Sequence, residues 1–429
     1  MSKVKVSDVK PNDFVSFDAP AITGYSNAIS LTGMVKNVMK HMLHGKEHRY
    51  IEIITEGQGV KGAYLAITEE IVRTVMTEEE QERMVARNVI RTLPRVVDSQ
   101  GSDPEMFVVD KDGIVIPSFK FLPDKKTVRG DTFAFWDGFQ AEFNIPGVSC
   151  LDQSVAFLQQ GLRNLLDAAK KHDPKAELTI KPTLTIPPHF LTEEKDEHVQ
   201  FGCMPSKNVY GMKGIQADGR EVSVRSAGGH IHIGLRSEQK KNIETYIKAL
   251  DAILGVACVS MFGKIDDPIR RKYYGLAGEY RTPSHGVEYR TLSNAWMCHP
   301  NISYIVFELA RKVITLVDKG MFKHWQYNES DVISCINECN IPLAMEILHQ
   351  NEAMFKDILM SFCYQRPETT QVVYNTFIAG VEVLIKDPND LVSNWNLDGK
   401  KNENTGTHRI ASMNTINPKF KDVLKMEIE

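Results

Sequence analysis

Two histidines lie two residues apart in an apolar, glycine-flanked run, Gly228-Gly229-His230-Ile231-His232-Ile233-Gly234. If this run is a β-strand, both imidazoles point to one face and the two isoleucines point to the other. At a rise of ~3.4 Å per residue the two rings would be ~7 Å apart. Paired imidazoles suit a metal ion or a polyanion, and the glycines allow a phosphate or another backbone to come close. Two ordinary histidines on a solvated strand face are the competing interpretation.

Four other segments place polar or charged side chains at positions i and i+2. They are Asp103-Pro104-Glu105, Glu142-Phe143-Asn144 after Asp137-Gly138, Glu279-Tyr280-Arg281 and Glu288-Tyr289-Arg290. Since proline cannot donate to a ladder, we expect the first of these strands to lie at an edge or to begin there. Cross-strand ion pairs alone would account for the last two segments. They would not account for the histidine pair or for Glu142.

These segments together predict one antiparallel sheet with a polar concave face and a convex face covered by helices. The polar face would collect Glu105, Glu142, His230, Glu279, Arg281, Glu288 and Arg290. Carboxylates with a histidine suit a hard cation, and Mg²⁺ usually also binds water and phosphate oxygens. Arginine offers a planar fork for phosphate or carboxylate. The pattern therefore predicts a site for a magnesium-bound nucleotide and a second anion.

Composition places the chain among ordinary globular proteins. Of its 429 residues, 25% are charged and 42% hydrophobic, and the formal net charge is -4. This balance does not favour nucleic-acid binding. The N-terminus carries no signal-type apolar stretch, and the most apolar segment, around residues 249–262, is too short to span a bilayer. Seven scattered cysteines without a Cys-x-x-Cys pair suggest reduced thiols. We therefore expect a cytoplasmic protein that does not bind membranes.

The chain divides by pattern into three parts. Residues 1–95 predict a small β-rich, SH3-like domain followed by a linker helix that starts near Thr77. Residues 96–398 alternate strands with long helices, and residues 399–429 form a polar tail. Because neither a P-loop nor a Rossmann glycine motif is present, an α+β fold is favoured over a doubly wound sheet.

In their order along the chain, these motifs resemble the phage-type COOH–NH2 ligase (type 2) family. That family is related to glutamate–cysteine ligase and more distantly to glutamine synthetase. The resemblance covers residues of about 100 to 300 and leaves out the first domain. It implies a glutamine-synthetase-like curved antiparallel sheet, an open barrel covered by helices. It also implies ATP and Mg²⁺ as cofactors and amide formation through an acyl phosphate.

The resemblance also implies roles for individual residues. Glu105, Glu142, His230 and Glu288 would bind metal, and His232, Arg270, Arg271 and Asn144 would contact the nucleotide. The basic run Arg270-Arg271-Lys272 is explained equally well as a solvated surface run. Arg281 and Arg290 would clamp the transferred phosphoryl group or the substrate carboxylate, and Glu279 would bind metal or accept the proton of the amine. Related ligases carry Glu-x-Glu at the first motif, so Asp103 stands either as a replacement ligand or as a structural residue.

Two other functions remain open from the sequence. A His-x-His strand also occurs at zinc sites, so a metal-dependent hydrolase is one alternative, although the acid-rich set favours Mg²⁺. A non-catalytic binding protein on a ligase fold is the other. For the ligase, the expected partners are small-molecule or peptide carboxylates and amines, and a homo-oligomer is left open. If the protein is phage-encoded, its location would be the host cytoplasm.

Overall fold

The computed structural model divides the chain into two compact units, residues 1–89 and 90–429. It describes residues 2–5, 8–11, 13–19, 29–43, 46–55, 63–65, 70–73, 82, 86–87, 89–91, 93, 99–130, 132–201, 206–362 and 367–398. The predicted polar tail lies outside the described residues.

The first unit contains a six-stranded antiparallel sheet in the order β1-β6-β2-β3-β4-β5. Its strands are β1 (Ser2–Lys5), β2 (Phe14–Ala19), β3 (Ile29–Leu43), β4 (Lys46–Thr55), β5 (Ala63–Leu65) and β6 (Glu70–Arg73). The alternating segments of the sequence fall on β2, β4, β5 and β6. An SH3-like architecture stays a prediction. The start of the predicted linker helix, residues 77–81, lies outside the described residues, whereas residues 89–91 are helical.

The second unit is built on a nine-stranded antiparallel sheet that does not close into a barrel within the described residues. Its main order is β13-β16-β17-β15-β7-β9-β8, and β10 and β11 also pair with β7. The bounds are β7 (Gln100–Val109), β8 (Phe135–Asp137), β9 (Gln140–Glu142), β10 (Ile145–Val148), β11 (Glu177–Thr179), β13 (Lys207–Asn208), β15 (Gly229–Gly234), β16 (Glu279–Arg281) and β17 (Gly286–Tyr289). A separate ribbon pairs β12 (Thr183–Thr185) with β14 (Val224–Ser226). The predicted α+β fold with an open antiparallel sheet is confirmed.

The expectation that Pro104 marks an edge strand is wrong, because β7 lies inside the sheet between β15 and β9. On one side β7 pairs first with β10, up to Ser102, and then with β9, from Glu105 onward. Pro104 falls at the junction of these two short partners, where its carbonyl accepts from the Phe143 amide at 3.4 Å. The missing N–H of Pro104 therefore interrupts the hydrogen bonding of β7 with neither β10 nor β9.

The described part of the second unit contains twelve α-helices, the longest of which packs on the apolar face of the sheet. They are α1 (Leu151–His172), α2 (Pro188–Glu193), α3 (Asp196–Val199), α4 (Ile243–Ala249), α5 (Val256–Phe262), α6 (Pro268–Tyr273), α7 (Pro300–Asp318), α8 (Glu329–Asn337), α9 (Ile341–Gln350), α10 (Glu352–Met360), α11 (Pro367–Ala379) and α12 (Leu391–Trp395). A π-helical segment, Leu250–Gly255, joins α4 to α5. Leu158 and Leu162 of α1 share one buried core with Ile231 and Ile233 of the histidine strand. The alternation read from the sequence thus places the isoleucines toward the helices and the histidines on the opposite face.

The prediction that the most apolar segment is too short to span a bilayer is wrong. The continuous helix Gln239–Phe262 has 24 residues and is apolar enough to cross a bilayer by length and composition. However, 89% of its most apolar window is buried inside the protein. Burial of this kind is typical of a core helix.

Candidate active site

Strand register brings the polar pairs of the sequence side by side on one face of the sheet. Asp103 on β7 lies opposite His230 on β15. On the other flank of β7, Glu105 lies opposite Glu142 of β9. His232 lies opposite Glu288, which in turn pairs with Arg281.

The first acidic cluster consists of Glu105, Asp137 and Glu142, whose carboxylate oxygens lie within 4.8 Å of one another. Asp137 reaches it because Gly138, at a φ of 64°, turns the chain from β8 into β9. Burial, followed by the nearby charge of Asp137, raises the pKa of Glu105 to about 7. Burial also raises the pKa values of Glu142 and Asp137. Three like charges held together in low dielectric form a site that a divalent cation would stabilise.

Protein partners neutralise this cluster only in part. The Gly228 amide donates to Glu105 Oε2 at 2.6 Å. Lys125 Nζ donates to Glu142 Oε1 at 2.9 Å.

The second cluster consists of Asp103, His232 and Glu288, again with ligand atoms within 4.8 Å of one another. Asp103 Oδ1 lies 3.0 Å from His232 Nε2 and 3.1 Å from His230 Nδ1. Burial would raise the pKa of Asp103, but the two imidazoles outweigh it and lower that pKa. Burial lowers the pKa of His232, and its hydrogen bond to Asp103 reverses the direction to a net rise.

His230 is not a member of either triad but contacts both acids of the second, with its Nδ1 3.1 Å from Asp103 Oδ1 and 3.6 Å from Glu288 Oε1. Its Nδ1 faces Asp103, and its Nε2 hydrogen-bonds the Tyr274 hydroxyl. The side chain is 2% exposed. Burial, reinforced by the charge of Arg290, lowers the pKa of His230 to about 4. With both ring nitrogens engaged, His230 orients Asp103 and Tyr274, as the outer partners of a metal site do.

Three further predicted residues border the clusters. Arg290 contacts Glu288 through NH1 and donates from NH2 to Tyr274 Oη at 2.8 Å. Arg281 NH1 lies 3.6 Å from Glu288 Oε1. Glu279 is buried and accepts from the Gly275 amide at 3.0 Å, and burial raises its pKa.

A cavity of about 700 Å³ opens beside the first cluster. Glu105, Asp137, Tyr274 and Glu279 line one part of it. The segment from Asn208 to Ala217 supplies another part of the wall, including Lys213. The volume is within the range of ~300–1,000 Å³ typical of small-molecule sites.

The structure does not bring Arg270 or Arg271 to the lining of the cavity. Arg270 donates to the carbonyls of Thr291 and Leu292, at 2.9 and 2.8 Å. Arg271 binds the carbonyls of Gly275 and Thr291 and pairs with Asp266. Both side chains are buried, and main-chain carbonyls accept hydrogen bonds from their terminal nitrogens.

Asn144 is likewise not brought into either cluster. It follows the end of β9, is exposed, and its carbonyl accepts from the Thr132 amide at 3.0 Å. The sequence predicted a strand that continues to Asn144, but the observed strand β9 ends at Glu142. The side chains of Glu142 and Asn144 therefore do not lie on one face of a strand.

The sequence interpretation gave no role to three residues that belong to or contact the clusters, Lys125, Asp137 and Tyr274, and it favoured a plain surface loop over a phosphate contact for Lys213, which lines the cavity. The Asp137-Gly138 pair carried a turn signal that could have brought Asp137 to β9. Lys213 lies in a glycine-containing loop that the sequence also allows to be plain surface. No spacing rule connects Lys125 or Tyr274 to the other residues.

The donor set fits Mg²⁺. The two triads supply five carboxylates and one imidazole, and oxygen-rich sets favour hard cations over zinc. Around them only Lys125, Arg281 and Arg290 bring permanent positive charge among the described ion pairs.

Comparison with known proteins gives the class. A family model of phage phiEco32-like COOH·NH2 ligases, type 2, matches residues 165–397, more than half of the chain. The protein is thus a member of a carbon–nitrogen ligase class. Within that class the chain belongs to the phage phiEco32-like type 2 family. The matched segment begins after β10, whereas the resemblance in the sequence begins near residue 100. From there the match extends through the helices.

Two solved structures show a remote likeness. One is a bifunctional glutathione synthetase from Pasteurella multocida, with a TM-score of 0.37 and 11% identity over 73% of this chain and 52% of that one. The chain thus spans about half the length of that enzyme. The other is GmaS without ligand, with a TM-score of 0.33 and 10% identity over 72% of this chain and 75% of that one. No curated protein sequence matches the chain.

Proposed function

We propose that the protein is an ATP- and Mg²⁺-dependent carboxylate–amine ligase that forms an amide through an acyl phosphate. The observation that carries this proposal is the pair of acid-rich triads on one sheet face, next to a cavity of about 700 Å³. Family membership supports the reaction class. The cavity has room for a nucleotide together with a small-molecule or peptide carboxylate.

In the proposed first step, an oxygen of the substrate carboxylate attacks the γ-phosphorus of ATP, and the bond to ADP breaks. The triads would hold two Mg²⁺ ions, which when bound supply charge neutralisation of the phosphates. Arg290 is fixed by Glu288 and Tyr274, so its guanidinium is oriented before substrate arrives. Arg281 and Arg290 would stabilise the charge on the phosphoryl group.

In the second step, the amine nitrogen attacks the acyl carbon, and the bond to phosphate breaks. The nitrogen must lose a proton, and Glu279 is the proposed base. Burial raises the pKa of this carboxylate, which makes it a stronger proton acceptor than an exposed glutamate. Glu279 also lines the cavity, so a bound amine can reach it.

The roles of the two histidines differ from those that the resemblance implied. We propose His232 as a metal ligand together with Asp103 and Glu288, since these three form one triad. We propose His230 as the residue that holds Asp103 and Tyr274 in position. Such an enzyme would work in the cytoplasm, where ATP and Mg²⁺ are available.

The test uses hydroxylamine as a general amine, because it converts an acyl phosphate to a stable hydroxamate. Purified protein is incubated with ATP, Mg²⁺ and pools of carboxylates, and ADP and hydroxamate are measured together. We expect equal amounts of both from the wild type. Glu105→Gln, Glu142→Gln and His230→Ala should lose turnover and remain folded. Asp112→Asn, at an exposed acid on the turn after β7, is the matched control.

ADP release without hydroxamate would contradict an acyl-phosphate route. Stoichiometric zinc in the purified protein would favour a hydrolase instead. If Mg²⁺ and ATP both fail to raise the melting temperature, the protein would be a non-catalytic member of the family.

A further inference from the structure

Lys125 lies on a short turn whose backbone is fixed beside the first cluster. The 3₁₀ turn Lys125–Thr127 begins at Asp124, whose side chain accepts from the Lys126 amide at 2.7 Å. The same segment joins β8, because the Trp136 amide donates to the Pro123 carbonyl at 3.1 Å. Trp136 precedes Asp137, a member of the cluster. The position of the Lys125 backbone is therefore tied to the strand that presents an acid of the proposed metal site.

The side chain of Lys125 contacts the cluster from the solvent side. Its Nζ is 2.9 Å from Glu142 Oε1 and 4.7 Å from the centroid of the Phe135 ring. Burial lowers the pKa of Lys125, but the charge of Glu142 and its hydrogen bond outweigh burial, so the ammonium is firmly protonated. The Lys125 side chain is 61% exposed but that of Glu142 only 9%, so the ammonium can leave for another acceptor, whereas the buried carboxylate needs another cation in its place.

Three permanent cations border the triads in the described part of the chain, and their side chains differ in exposure. The Arg290 side chain is 2% exposed and that of Arg281 is 30% exposed, whereas that of Lys125 is 61% exposed. Arg290 is held by Glu288 and Tyr274 at once. Lys125 is thus the cation best able to change partner.

We propose that Lys125 is a catalytic residue that leaves Glu142 for an oxygen of the transferred phosphoryl group when Glu142 binds the divalent cation. This inference rests on the proposed ligase function. A carboxylate oxygen bound to a dication is a poorer acceptor for an ammonium. A phosphoryl oxygen held at the same cation is a strong acceptor, and lysine binds phosphate well as a point charge.

Removal of the Lys125 ammonium should therefore change metal affinity and nucleotide affinity in opposite directions. Before nucleotide binds, the ammonium competes with the dication for Glu142, so its removal tightens metal binding. Once nucleotide is present, the ammonium attracts the phosphates, so its removal weakens nucleotide binding. If the ion pair only supports the fold, removing the ammonium would leave nucleotide affinity unchanged.

The experiment compares Lys125→Gln with Lys126→Gln, a neighbouring exposed lysine on the same turn. Mn²⁺ binding is titrated without nucleotide, by the loss of the free-ion paramagnetic resonance signal. A non-hydrolysable ATP analogue is then titrated at saturating Mn²⁺ by calorimetry. For Lys125→Gln we expect Mn²⁺ affinity to rise several-fold and nucleotide affinity to fall about tenfold. Lys126→Gln should match the wild type, and Lys125→Arg should recover part of the nucleotide affinity.

The outcomes separate this inference from the function on which it rests. A wild type that binds neither Mn²⁺ nor the nucleotide analogue overturns the proposed ligase, and this inference with it. A wild type that binds both, with Lys125→Gln equal to Lys126→Gln in nucleotide affinity, overturns the role of Lys125 alone. The circular-dichroism melting curve of Lys125→Gln checks the fold, and the exposed side chain predicts a curve like that of the wild type.

Discussion

Two groups of buried charge in the second unit differ in how their charges are satisfied. In the structural cluster, formed by Asp266, Arg270 and Arg271, the two guanidinium groups bind main-chain carbonyls through their terminal nitrogens, and Arg271 also pairs with Asp266. The space beside Asp266 and Arg271 is about 10 Å³, room for about one water. In the acidic cluster of Glu105, Asp137 and Glu142, the carboxylates of Glu105 and Asp137 line a cavity of about 700 Å³.

The comparison separates buried charge that supports the fold from buried charge that can bind a ligand. Each group contains two residues that the sequence interpretation assigned to the site: Arg270 and Arg271 in one, and Glu105 and Glu142 in the other. A charge with all its partners inside the protein has none left for a ligand. Burial raises the pKa values of the acids in the acidic cluster instead, and no single cation among the described residues contacts all three. Unsatisfied charge beside open space is therefore the feature that marks a site.

The largest expected effect is on the structural cluster. Arg271→Met would leave Asp266 buried without its cation and should lower the free energy of unfolding by about 3–5 kcal/mol. Urea unfolding measures the change. Arg236→Met, at a half-exposed side chain paired with Glu238, should stay within about 0.5 kcal/mol of the wild type. An unchanged stability in Arg271→Met would remove the distinction between the two groups.

In the acidic cluster, a substitution should reduce turnover without reducing stability. Glu142→Gln is expected to reduce turnover at least 10²-fold, about 2.7 kcal/mol in transition-state stabilisation. Because it removes one of three like charges, its free energy of unfolding should equal or exceed that of the wild type. Steady-state kinetics and urea unfolding of the same sample check both points. A loss of stability as large as that of Arg271→Met would place Glu142 in the structural class.

Magnesium should stabilise the protein through the acidic cluster. At a concentration of 100 times its Kd, a bound ion raises the free energy of unfolding by about 2.7 kcal/mol. Asp137→Asn should lose this gain, because Asp137 is one of three carboxylates in the cluster. Thermal melts with and without Mg²⁺ measure it, with Asp112→Asn as the control. A full Mg²⁺ response in Asp137→Asn would exclude Asp137 as a ligand.

A buried histidine outside both groups should give an effect that is absent near neutral pH and grows only as the pH falls. Burial lowers the pKa of His299, the N-cap of α7, to about 3. Between that value and about 6.5 the unfolded chain binds a proton that the folded chain does not. Stability should therefore rise with pH across this window by at most ~1.4 kcal/mol per unit. His299→Asn retains a capping side chain and should lack this contribution. Parallel pH profiles of wild type and variant would contradict the prediction.

The sequence located most of the strands but not their neighbours. The i, i+2 pairs correctly indicated β7, β15, β16 and β17, because side-chain alternation is a local property of a strand. Pro104 misled the interpretation, since its place between two short partner strands is set by residues 140–148. The Arg270-Arg271-Lys272 run misled it as well. Main-chain carbonyls, which no sequence pattern displays, accept the hydrogen bonds of both arginines.

By itself the sequence determined which side chains share a face, because a two-residue period in strands needs only local geometry. It therefore put His230 and His232 together and Ile231 on the side of the helices. Tertiary structure alone decided that Glu105 meets Glu142, that Asp137 joins them, and that His230 turns to Tyr274 instead of entering a triad. Distances across a sheet depend on strand register and loop closure, which arise from contacts between residues far apart in the chain.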